Sequence, residues 1–161
     1  GMNVRRVDII PERADISIDA GLPWAQIIVC SMNLTPANVG YFRYDRLRQA
    51  ARGSFFVNIA RGELAPPADL LRLLEEGRLA GVALDVFDHE GPLAVALRSG
   101  QPSNDPVVQA TLRLAARPDA ILTPHNAFNT AEAVERKSQQ TAQQLVEFLR
   151  TGRFRWPVPP E

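Results

Sequence analysis

The sequence predicts an α/β fold, a doubly wound parallel sheet with helices packed against it, on three observations. Short runs of apolar, β-branched or aromatic residues recur along the chain, and longer segments with helical spacing separate them. The run Val82-Ala83-Leu84 is apolar without alternation, as a strand buried on both faces requires.

In chain order, residues 4–8, 26–31, 55–59, 81–86 and 120–122 read as strands, each too short to be a core helix. Residues 33–42, with Thr35-Pro36-Ala37-Asn38, read as a loop, and so do residues 89–103, which carry Gly91, Pro92, Gly100 and Pro102. Pro66 and Pro67 open a helix that runs over 68–77 and stops at Gly77. A second begins at Asp105, an N-cap with Pro106 in the first helical position, and continues through Val108, Thr111 and Leu114. A third, over 130–152, opens at Thr130 and ends at Gly152. At about 20 residues it is long for a small domain and is expected to reach past its own sheet. Residues 1–152 therefore read as one domain, and residues 153–161 as an extended tail, because Pro157, Pro159 and Pro160 cannot continue a helix.

Composition narrows the function classes. A chain of 161 residues, 45% of them hydrophobic, is long enough to hold a core without staples. Its 18 basic side chains balance 18 acidic ones, so it lacks the cation excess that a nucleic-acid surface needs, and no nucleic-acid partner is expected. No run approaches the roughly 20 apolar residues of a membrane span, and residues 1–30 carry no leader pattern, so no membrane partner and a cytoplasmic location are expected. The single cysteine, Cys30, lies in the run Ile27-Ile28-Val29-Cys30 and reads as a buried, inert thiol. No residue set reads as a metal site.

Three polar residues lie just beyond expected strand ends: Arg61 after 55–60, Glu90 after 81–87 and His125 after 120–124. Open parallel sheets bind ligands at their carboxyl edge, so the three make a candidate site. An arginine fork can grip a carboxylate through two hydrogen bonds. A glutamate beside a histidine favours the imidazolium, which can give its proton to an oxygen gaining charge as hydride reaches the adjoining carbon. Together the three suit reduction of a 2-keto acid. Taken singly, each has an ordinary reading: Arg61 and Glu90 as solvated surface, His125 as a satisfied structural histidine, and His89 as a loop residue. The weight rests on the combination.

At these residues the sequence resembles the D-isomer-specific 2-hydroxyacid dehydrogenases. The resemblance lies in Val57-Asn58-Ile59-Ala60-Arg61-Gly62, in Ala80-Gly81-Val82-Ala83-Leu84-Asp85-Val86-Phe87-Asp88-His89-Glu90, and in Leu122-Thr123-Pro124-His125, with Leu34-Thr35-Pro36-Ala37-Asn38 before them. His125-Asn126-Ala127-Phe128-Asn129-Thr130 and the long stretch between Glu90 and His125 are similar to the D-lactate dehydrogenase branch. The resemblance implies a Rossmann-like NAD-binding domain, a 2-keto or 2-hydroxy acid substrate and a homodimer. It also implies that Arg61 grips the substrate, His125 acts as acid and base, and Glu90 orients and charges His125. Asp85 takes the place of the residue that binds the nicotinamide carboxamide, Phe128 that of an aromatic near the substrate side chain, and Asn38, Ile59 and Ala60 line the cofactor.

The sequence departs from the family in one respect above all: no Gly-x-Gly-x-x-Gly follows a strand, so the turn that brings backbone amides to a pyrophosphate is missing. Residues 1–8 resemble the strand after that motif, which makes Asp8 a candidate for the adenine ribose and favours NAD over NADP, although Arg5 and Arg6 suit a doubly covered strand poorly. The domain is thus expected to be truncated, without its first strand-helix unit. In the usual strand order this leaves a gap of about 9.6 Å, twice the strand spacing. Retained strands sliding together, a strand from another chain, or residues 1–25 leaving the family position could each resolve it, the last or dimer-mediated pairing being favoured. Two functions follow: part of an NAD-dependent dehydrogenase, or a non-catalytic domain serving as a dimerisation or interaction scaffold.

Overall fold

The computed structural model describes residues 1–157 and divides the chain into two compact units, Gly1–His125 and Asn126–Glu161. In the first, four parallel strands pair in chain order: β1 (Ile27–Cys30), β2 (Ser54–Asn58), β3 (Leu79–Leu84) and β4 (Ala120–Leu122). Cys30, Asn58 and Leu84 stand side by side where β1, β2 and β3 end, and Leu84 pairs with Leu122 of β4. Three strand ends thereby deliver the following loops to one edge.

The helices of this unit are α1 (Ile18–Trp24), α2 (Tyr44–Leu47), α3 (Pro67–Glu75), α4 (Glu90–Ser99) and α5 (Pro106–Ala115). Pro67 occupies the first turn of α3, where its missing N–H costs nothing, and Leu70, Leu71, Leu73 and Leu74 form the buried stripe. In α5, Asp105 caps the N-terminus by accepting from the amides of Val107 and Val108, and Val108, Thr111 and Leu114 turn inward. Helices α1, α2, α3 and α5 close on Ile28, Cys30, Phe56, Val82 and Leu84 of the sheet, while Leu93 and Ala96 of α4 pack with Val108 of α5 in a smaller cluster. Phe56 is fully buried, with its ring 5.1 Å from that of Phe42; a side chain of this size contributes roughly 1.5–3 kcal/mol through its burial. Cys30 is buried in the same core, and burial pushes its thiol pKa up, consistent with an inert packing residue.

Two expectations from sequence are corrected. Residues 4–8 form no strand; residues 1–10 are exposed, and the segment is tied down through Arg6. Its backbone N–H and guanidinium both donate to the Asp15 carboxylate, and its carbonyl accepts from the amides of Asp15 and Ile16. Two consecutive arginines are better served by solvent and an aspartate than by a covered strand, so residues 1–8 leave the sheet. The four described strands pair directly, and no gap lies between them. The second correction concerns residues 89–103, read as a loop, of which 90–99 form α4. Gly91 and Pro92 sit in its first turn, and Gly100, at φ +65°, closes it. The punctuation marked the ends of a helix. The short helices α1 and α2 were not foreseen.

The second unit is built on α6 (Ala131–Thr151). The Thr130 hydroxyl accepts from the Ala133 amide at its start, and Gly152, at φ +70°, ends it. The chain then returns along the helix. Gln144 accepts from the Arg155 amide at 2.8 Å and donates to the Trp156 carbonyl at 3.2 Å, while Phe154 stacks on Phe148 at 4.5 Å. Of the tail expected to be extended, residues 158–161 lie outside the described residues. Among the described residues no helix is long and apolar enough to cross a membrane.

Candidate active site

The site is built from the carboxyl ends of β2, β3 and β4. Asn58, the last residue of β2, is almost fully buried and shapes the turn that follows. Its side-chain oxygen accepts from the Ala60 amide at 3.1 Å, and its Nδ2 donates to the Arg61 carbonyl at 2.8 Å. Its own carbonyl accepts from the Asp85 amide, which ties this turn to the end of β3. Arg61 is thus held from beneath by an amide. Its guanidinium donates from Nη1 to the Ala60 carbonyl at 2.6 Å.

Gly62 explains how the loop after β2 meets the loop after β3. A Cβ built there would lie 1.9 Å from the Phe87 carbonyl carbon and 2.0 Å from the Asp88 nitrogen. The two backbones touch, and only glycine permits it. Arg61 and Glu90 consequently stand on loops in direct contact.

Glu90 opens α4 and His125 follows β4, and their side chains meet: Nδ1 of His125 lies 3.0 Å from Oε1 and 3.1 Å from Oε2 of Glu90. Oε1 also accepts from the Phe87 amide at 3.2 Å, which fixes the carboxylate from the other side. Both side chains remain partly exposed. His125 adopts left-handed backbone, φ +51°. This conformation is uncommon for a residue other than glycine, and it turns the chain sharply after Pro124.

A second histidine adjoins the pair. His89, also left-handed at φ +56°, directs Nδ1 to Oδ2 of Asp105 at 2.6 Å. The hydrogen bond from Asp105 raises the His89 pKa above the ordinary imidazole value, helped by the nearby charges of Asp105, Asp88 and Glu63, and lowers that of Asp105.

Asp85 is 4% exposed, and its Oδ1 accepts from the Thr123 hydroxyl at 2.6 Å, which joins the ends of β3 and β4. Ala60 is buried and Ile59 half exposed on the loop before Arg61. The Asn38 amide is engaged within its own loop, accepting from the Thr35 amide and donating to the Asn33 carbonyl. Asp8 lies outside any strand, is exposed, and accepts from the Ile10 amide two residues on. Phe128 belongs to the second unit, half exposed, with the Lys137 ammonium 4.3 Å from its ring centre. Asn58, Gly62 and Thr123 are the residues that sequence reasoning passed over. An asparagine closing an otherwise apolar strand was the one signal available for any of them. Among the described residues no cluster could hold a metal ion.

Set against known proteins, this chain has clear counterparts. Residues 1–127 match the family model of the D-isomer specific 2-hydroxyacid dehydrogenase, NAD binding domain. A D-lactate dehydrogenase of Streptococcus agalactiae serotype V is 33% identical over 136 residues, which cover 84% of this chain and 40% of that protein. A glyoxylate reductase of Thermofilum pendens is 30% identical over 142 residues, covering 88% and 37%. The solved structure of a D-lactate dehydrogenase from Treponema pallidum superposes with a TM-score of 0.81 at 28% identity, covering 96% of this chain and 47% of that one. The chain spans about 40% of the length of the curated relatives it matches. A parallel sheet whose edge carries an Arg-Gly turn, a buried aspartate and a joined Glu-His pair, together with a family match over residues 1–127, places this chain in the D-isomer-specific 2-hydroxyacid dehydrogenase family as an NAD-binding domain.

Proposed function

We propose that this chain forms the nucleotide-domain part of an oxidoreductase that transfers hydride between NAD(H) and a 2-keto or 2-hydroxy acid of the D-lactate kind. The observation that carries this reading is the ion pair between His125 and Glu90 at the sheet edge, beside the loop bearing Arg61.

The residues present suit the nicotinamide end of the cofactor. Asp85 is a buried carboxylate anchored by Thr123 and offers acceptors for a carboxamide; Ile59 and Ala60 supply backbone and apolar surface. No glycine cradle for the diphosphate occurs in this sequence, so no residue here is assigned to that end, and Asp8 and Asn38 remain proposals for the cofactor's periphery. When bound, the cofactor supplies or takes up the hydride at the substrate C2. Glu90 accepts the Nδ1 proton of His125 and so leaves Nε2 as the nitrogen that exchanges a proton with the substrate oxygen. In the reducing direction His125 gives that proton to the carbonyl oxygen. Arg61 holds the substrate carboxylate, which requires its guanidinium to exchange the Ala60 carbonyl for the ligand. Phe128, which the resemblance sets near the substrate side chain, stands as a proposal resting on that resemblance.

The test is a titration of the chain with NADH, followed by fluorescence and melting temperature, and then with oxamate, which presents a carboxylate beside a carbonyl. Both ligands are expected to raise the melting temperature, and Arg61→Ala to abolish the oxamate increment alone. No response to NADH and none to oxamate would reject the reading.

A separate observation supports a second role. The sheet face opposite the buried core leaves Ile27, Val29, Phe55 and Ile121 between 48% and 67% exposed. A parallel sheet is ordinarily covered on both faces, so this face suits dimerisation with a second copy.

A further inference from the structure

His89 joins the starts of two helices. Its backbone is the left-handed step into α4, with its carbonyl accepting from the Leu93 amide and its amide donating to the Asp88 carboxylate at 2.9 Å. Its ring is bound to Asp105, whose other oxygen caps α5. A single carboxylate therefore bolts the start of α5 to the residue directly before Glu90.

An L-residue stays in left-handed backbone only when its surroundings hold it there. The N-cap side chain of α4 makes no capping bond to the helix, and its ring is turned instead to Asp105 at the start of α5. What fixes it is the bolt to Asp105 on one side and the Glu90 carboxylate, bound to the Phe87 amide and His125, on the other. If the turn at 89 opens, the first residue of α4 is the first to move, and that residue is Glu90.

We propose that His89 is a positioning residue for the Glu90–His125 pair: its ring, seated on Asp105, locks the turn that presents the Glu90 carboxylate to Nδ1 of His125. The proposal rests on the reading of Glu90 and His125 as the acid-base pair for its functional meaning, and on the geometry alone for its existence.

Acidic groups face His89: Asp105 at the start of α5, Asp88 in its own turn with Oδ1 at 3.8 Å from Nε2, and Glu63 from the turn after β2. They favour the charged ring, so its pKa is raised. A group raised in the folded state gives its full contribution at low pH and loses it as pH rises through the folded-state value. The lock is therefore held while the ring is protonated and the Asp105 carboxylate ionised, and it weakens as pH rises through the His89 titration.

The chain contains only two histidines, His89 and His125, so ring-nitrogen NMR resolves both without ambiguity. The experiment follows the 15N signals of both rings against pH in the unaltered chain and in Asp105→Asn, His89→Asn and Glu90→Gln. Asparagine keeps the cap of α5 and tolerates left-handed backbone, so the first two variants remove the lock without removing the fold. In the unaltered chain the His125 signal is expected to show an inflection at the His89 midpoint. In Asp105→Asn the His89 midpoint falls and the His125 inflection is lost; in His89→Asn the inflection is lost. Glu90→Gln should lose it too, because the coupling runs through the Glu90 carboxylate.

A featureless His125 signal across the His89 titration overturns the proposal. So does an inflection that survives Glu90→Gln, since that would be a through-space effect of one ring's charge on the other. Neither outcome involves nucleotide or keto acid, so failure of the dehydrogenase reading and failure of this one are separately visible.

Discussion

Gly62 carries a larger structural demand than any charged residue of the site. Its Cα presses on the Phe87–Asp88 peptide, both partners are backbone, and neither can swing aside as a side chain would. Gly62→Ala should cost about 3 kcal/mol, at the upper end of ordinary overpacking, and lower the melting temperature by roughly 10 °C. Gly91→Ala is the control. It has nothing within 4 Å of the added carbon and lies in the first turn of α4, so it should be neutral or stabilise by up to about 1 kcal/mol. Equal losses in the two variants would show that the close approach of the two loops is not what residue 62 serves. Sequence names Arg61 as the residue of interest and passes over its neighbour, because the demand on Gly62 comes from a loop more than twenty positions away.

At the scale of elements, the segment around residues 6–15 shows how a stretch that reads as a strand becomes a closed loop. Hydrogen bonds from the Arg6 guanidinium and backbone lower the Asp15 pKa from the ordinary 3.8 to about 2. A carboxyl lowered in the folded state stabilises the loop above the ordinary value and loses that contribution as pH falls through the folded one. Carboxyl-carbon NMR should therefore find Asp15 titrating near pH 2, with the loop opening only below that range, and Arg6→Ala should return its midpoint toward 3.8. A midpoint already at the ordinary value in the unaltered chain would show that Arg6 does not hold this segment. The helices follow the same rule of local against distant causes. Asp105, Thr130, Gly77 and Gly152 mark helix ends by chemistry within three residues, and all four were legible. Helix α4 was hidden because its glycines and proline, usual loop markers, serve as its first turn and its stop.

At the scale of the molecule, each crossover from β1 to β4 steps to the neighbouring strand in one direction, and helices laid down by such a winding gather on one face. The opposite face carries Ile27, Val29, Phe55 and Ile121, on alternating positions of three strands. If a second copy covers it, sedimentation should give a dimer at high micromolar concentration, and Val29→Glu or Ile121→Glu should return the monomer with its helical content intact. A monomer in the unaltered chain at all concentrations would reject this role and leave the dehydrogenase reading untouched.

By itself the sequence determined the class of fold, four of the strands to within about two residues and the starts of the three foreseen helices, and it singled out Arg61, Glu90 and His125 as candidates. Those follow from periodicity, capping and residue type, which act over a few positions along the chain. Only the tertiary structure decided that residues 4–8 leave the sheet and that the strands close up without a gap. It alone set Glu90 on His125, Asp85 on Thr123 and the Arg61 turn on the Phe87–Asp88 peptide. Each of these depends on groups separated by nine to nearly forty positions, and a contact at that range is fixed by which backbones the sheet register and the core bring within van der Waals reach.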